Sequence, residues 1–130
     1  MTQFSTLMDE VMADADHFGH REHVRLTWLA VRRHGVQSAI DIVSDGIRAL
    51  ATEAGRPQKY HATVSRAWVE LVAHHVDELP EADFEDYLAH NPALLDKRLL
   101  TRFYSSRTLA AAPARTGWVE PDVAPFPFGT

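Results

Sequence analysis

"FGHREHVRLTWLAVRRHG", residues 18–35, sets the fold class. Val24, Thr27, Trp28 and Val31 recur at three- and four-residue intervals, the period of one face of an α-helix. The stretch closes on two arginines and a histidine, cations suited to a helix C-terminus, and then on Gly35, suited to the left-handed C′ position. A helix over residues 18–34 is predicted.

The same reading extends outward. Residues 36–54 repeat the pattern through Ile40, Val43, Ile47 and Leu50 and stop at "AGRPQ". Pro57 disfavours helix at Arg56, and a third helix runs from Tyr60 to before Pro80 with His61, Val64, Trp68, Leu71, Val72 and His75 on one face. "PEADFEDYLAHNP" predicts a shorter helix over residues 81–90, and residues 92–103 add a fifth helical piece. "YSSRTLAAAPARTGW" predicts a short helical turn with Ser105 or Ser106 as its cap, limited by Pro113. "VEPDVAPFPFGT" holds three prolines and suits neither helix nor inner strand; Trp118, Val119, Phe126 and Phe128 make it an extended strap across the bundle. No alternating strand pattern and no internal repeat occur. The expected architecture is all-α: one domain over residues 1–130, a bundle of four to five helices, with residues 1–16 as a mobile N-terminal segment and 118–130 as the strap.

Composition narrows the chemistry. The 130 residues include no cysteine, so thiolate metal sites, disulfides and cysteine nucleophiles are excluded, and any metal must be held by nitrogen and oxygen. A formal charge of −5 argues against a dedicated nucleic-acid binder. "MTQFSTLMDEVM" carries acids where a signal peptide carries bases before an apolar run, so the chain reads as cytoplasmic, without a membrane partner. Alanine- and arginine-rich, lysine-poor usage points to a bacterial source of high GC content. Eight histidines are the outlier.

With His20 as zero, Val24, Thr27 and Val31 fall at about +40°, −20° and +20°, with His23 near −60° and Trp28 near +80°. His20 is then central in the buried stripe, His23 lies at its edge, and His17 lies beyond Gly19. With His61 as zero on the third helix, Trp68 and Val72 fall at about −20° and +20°, and His74 near −140°, outward. His20 and His23 can address one cation, and His61 can supply a third nitrogen. Three imidazoles and an open position suit catalytic Zn, Fe, Cu or Ni. A metal-free pair acting as general acid and base fits equally, and so does a purely structural role closing the bundle end. "HREH" is neither the H-E-x-x-H nor the H-x-x-E-H arrangement. The outward His74-x-x-x-Glu78 pair is expected to hold no iron, since di-iron bundles need two inward E-x-x-H pairs.

"KYHATVSRAW" gathers Lys59, Tyr60, His61, Thr63 and Ser65 at one helix start, where free N–H groups favour an anionic ligand group. Arg21, Arg25 and Arg32 share a face, read either as a solvated, paired surface or as a patch for an acidic partner. The strap adds Arg115, Glu120 and Asp122 as caps, ion pairs or orienters of imidazole. In the blocks "FGHREH", "KYHAT" and "ARTGWVEPD", the chain resembles a group of small, mostly uncharacterised all-helical bacterial proteins. The resemblance spans residues 18–127 and implies the helical fold, with no activity attached.

The first functional expectation is therefore a small bacterial enzyme acting on a compact organic substrate in a His- and Trp-lined pocket. His20 and His61 would be catalytic with Tyr60 and Tyr104 as donors, and Trp28, Trp68, Lys59 and Arg115 would contact substrate. His20, His23 and His61 would hold one divalent ion if a metal is used. The alternatives are a non-catalytic module binding a small molecule, metal or haem, or a regulatory protein, and then a plain helical scaffold or homodimer.

Overall fold

The structure, a computed structural model, describes residues 2–126. It is all-helical: among the described residues seven α-helices and three 3-10 segments occur, and no strand. The α-helices are α1 (Gln3–Met12), α2 (His20–His34), α3 (Val36–Glu53), α4 (Ala62–Glu78), α5 (Phe84–His90), α6 (Ser106–Ala110) and α7 (Ala112–Thr116); the 3-10 segments are Pro57–Lys59, Pro92–Leu95 and Lys97–Arg102. Helices α2, α3 and α4 pack pairwise against one another, α1 lies over α2 and α3, and α7 rests on α4.

The periodic stripes build this core. Val24, Leu26, Trp28, Ala39, Val43, Trp68, Leu71 and Val72 are all buried in one continuous cluster. α2 passes to α3 through a single residue, Gly35, whose φ of 82° lies in the left-handed region where a side chain is strained. Trp28 packs on Phe84, with ring centroids 5.3 Å apart, and Arg32 covers its other side at 4.7 Å. α5 is tied to α4 by the Tyr87 hydroxyl, which donates to the Val72 carbonyl at 2.7 Å.

The helix count exceeds the expected four to five. Residues 1–16, expected as a mobile segment, contain α1: Thr2 and Ser5 form a reciprocal capping box, and Leu7 and Val11, one turn apart, are buried. Pro113 does not end the helical structure, because it sits in the first turn of α7, where its missing N–H costs nothing. Residues 92–103 form two 3-10 segments rather than one helix. Residues 118–126 carry no helix and are held by hydrogen bonds from Val123 N–H to the Phe103 carbonyl (2.9 Å) and from Tyr104 Oη to the Val119 carbonyl (2.7 Å). Phe126 packs edge-on against Phe103, whereas Phe128 lies outside the described residues.

α1 seats Phe4 directly over Gly46 of α3, where a Cβ would come within 2.1 Å of the ring. Gly46→Ala gains about 1 kcal/mol of helix propensity but forces the ring away, an overpacking cost of about 1–3 kcal/mol. The net expectation is a loss of about 1 kcal/mol in urea melts, with faster amide exchange confined to residues 3–12. Unchanged exchange there would show that α1 is not held by this contact.

Candidate functional site

α2 begins at His20, and the Gly19 N–H donates to Glu22 Oε1 at 2.9 Å. The Glu of "HREH" is thus a capping carboxylate. The His20 ring meets Trp68 edge-on, centroids 4.7 Å apart, and Nε2 donates to the Leu94 carbonyl at 2.8 Å. His23 lies between the rings of Phe18 and His20, each 6.3 Å away. Burial, with the neighbouring His20 as a smaller cause, pushes its pKa down to about 4, so it is neutral near pH 7.

His61 stands outside α4 as its N-cap, in extended conformation. Nδ1 accepts from the Val64 N–H at 3.1 Å, and Nε2 donates to the Leu109 carbonyl at 2.7 Å. Both ring nitrogens are therefore engaged with backbone groups. The expected His20, His23 and His61 centre is not assembled. Among the described residues, the group of three metal-ligating side chains whose donor atoms lie within 4.8 Å of one another is His74, His75 and Glu78. The physical reason lies in the cap: an orphan N–H at the start of α4 needs an acceptor, and His61 supplies it.

The other expected residues have separate surroundings. Trp28 and Trp68 are core side chains, 7% and 5% exposed. The Tyr104 hydroxyl is committed to the Val119 carbonyl, and its phenol is raised well above the ordinary value, first by burial and then by the charges of Glu120 and Glu70. Tyr60 lies under the Arg48 guanidinium at 6.0 Å, Lys59 is exposed, and Arg115 donates to the Gln58 carbonyl. The arginine face is internally paired: Arg21 with Glu85, and Arg32 with the Ala82 carbonyl at 3.0 Å. Asp122 acts as an anchor, accepting from Ser105 N–H at 2.9 Å and Ser105 Oγ at 2.7 Å, hydrogen bonds that hold its carboxyl below the usual range.

An apolar cleft lies elsewhere, between α1 and α3. It has a volume of about 650 Å³, a floor of Phe4, Met8, Ile42, Ala49 and Leu50, and four carboxylates around it, Asp9, Asp41, Asp45 and Glu53. None of the four forms an ion pair or a side-chain hydrogen bond with a described residue. The volume falls within the range of small-molecule sites. A signal for it was present in the sequence: Phe4, Leu7, Met8 and Val11 carry helical spacing, and Asp41 and Asp45 stand one turn apart.

The fold and this cleft define an all-helical protein with an acid-rimmed apolar groove, and no helix among the described residues is long and apolar enough to cross a membrane. Comparison with protein-family models, curated proteins and solved structures finds no match for the chain.

Proposed function

We propose that the chain is a non-catalytic binding module that holds a compact organic cation with an apolar body in the groove between α1 and α3. One observation carries this reading: four carboxylates that form no ion pair with a described residue surround an apolar floor. Like charges gathered around low-dielectric surface raise the local concentration of a cation, while the floor removes its apolar part from water. The reading departs from an acid–base enzyme because His61, Tyr104 and the two tryptophans are occupied in holding the fold.

The test uses decyltrimethylammonium below its micelle concentration, with decyl sulfate as the control of equal chain length. The expected result is saturable binding of the cation, with amide shifts in residues 3–9 and 41–53, and weaker binding of the anion. Asp41→Asn with Asp45→Asn removes two exposed charges, worth about 1–2 kcal/mol together, and weakens cation binding about five- to thirtyfold. Equal binding of both amphiphiles, or no effect of the double variant, overturns the proposal. So does a dimer in sedimentation whose interface occupies the groove.

A further inference from the structure

The C-terminal turn of α4 carries a second, unrelated constellation. His74, His75 and Glu78 lie on its last turn and a half, and all three offer donor atoms within 4.8 Å of one another. Glu78 Oε1 is 2.6 Å from His75 Nδ1 and 3.6 Å from His74 Nε2. The two imidazole rings are 5.0 Å apart between centroids and inclined at 63°. Two ligands at about 2.0–2.1 Å from a tetrahedral ion stand about 3.3 Å apart. The two separations from Glu78 bracket that value, and the two histidine donors lie within 4.8 Å of each other.

Backbone and charge favour a cation at this place. The helical spacing of four residues puts His74 and Glu78 on one face, and the spacing of three brings His75 to the same carboxylate. The last carbonyls of a 17-residue helix present the negative end of its dipole to the same region. Asp77, exposed on the same turn, adds negative charge. The side chains of both histidines are about a quarter exposed, and Glu78 is more than half exposed, so an ion reaches them without opening the core.

We propose that His74 Nε2, His75 Nδ1 and Glu78 Oε1 bind one divalent transition-metal ion of the zinc, copper or nickel class, with water completing the shell. On binding, Nδ1 of His75 turns its lone pair to the ion: a ring protonated on both nitrogens gives its Nδ1 proton to solvent and keeps the one on Nε2, and a neutral ring carries its single hydrogen on Nε2 and releases none. Nitrogen and carboxylate donors in a cysteine-free chain suit these ions better than calcium, which takes six or more oxygens. This site is independent of the groove between α1 and α3.

The test titrates zinc, and separately cobalt(II), into tag-free, metal-stripped full-length protein. One equivalent is expected to bind at micromolar to submillimolar concentration, and cobalt should give d–d absorption bands. Removing a carboxylate or imidazole ligand should cost more than losing an outer partner, so H75A and E78Q should each weaken zinc binding by roughly tenfold or more. Both positions are on the helix surface, and circular dichroism checks that each variant is folded. Paramagnetic broadening by cobalt gives a readout in the unmodified chain and is expected around residues 74–78. No binding, undiminished binding in H75A and E78Q, or broadening centred on residues 17–23 overturns the assignment.

Discussion

Thr63→Val is expected to destabilise the protein by about 2–4 kcal/mol, although the two side chains are nearly the same shape. Thr63 is fully buried, its hydroxyl donates to the Gly117 carbonyl at 2.8 Å, and its oxygen accepts from the Val119 N–H at 3.1 Å. Valine fills the space but leaves both backbone groups without their partner, each at a cost of about 1–3 kcal/mol. Partial rehydration at the half-buried Gly117 and Val119 keeps the sum below the upper limit. Because the same hydroxyl joins α4 to the segment after α7, amide exchange at Val119 should rise more than in α2 or α3. Urea melts and exchange rates check both parts; a loss under 1 kcal/mol would mean that these residues are held by other contacts.

Stability should fall by about 2 kcal/mol between pH 7 and pH 5, and His23 is the cause. Its imidazole titrates near 6.5 when the chain is unfolded and near 4 when folded. Within that window the unfolded chain binds a proton that the folded chain does not, so acid favours unfolding. Stability from this residue is complete above about pH 6.5, declines as pH falls toward 4, and changes no further below, for a full span of about 3 kcal/mol. Restricting the measurement to pH 7–5 keeps it above the titration of Glu10, Asp96 and Asp122, whose carboxyls are held below their ordinary values by Arg33, by Arg98 and by Ser105. His23→Gln should flatten the profile. An unchanged slope in that variant would move the effect to another group.

The helices were largely legible in the residues, and the site was not. Apolar spacing in α2 and α4 is a property of each segment and predicts much of its buried face, Trp28 and Trp68 included, whereas in α3 only Val43 of Ile40, Val43, Ile47 and Leu50 is fully buried, beside Ala39 and Gly46. The angular count misplaced His61, because it assumed that the third helix had begun before that residue; the chain is still extended there, and the ring turns back to cap the helix. The groove is hidden in the sequence for a different reason. Its floor and its acids come from two helices, Phe4, Met8 and Asp9 from α1 and Ile42, Asp41 and Asp45 from α3, so neither segment alone displays it.

What the amino-acid sequence by itself determined is the helical class, much of the buried faces of α2 and α4, and the restriction of any metal site to nitrogen and oxygen donors. Only the tertiary structure decided what each polar side chain does. His20 meets the carbonyl of a residue 74 positions away and His61 one 48 positions away. Periodicity follows from the geometry of a single helix, whereas a hydrogen-bond partner depends on which distant segment brings an unsatisfied backbone group within 3 Å. That is why the histidines closest to the core became fastenings, while those on the outer turn of α4 kept the geometry of ligands.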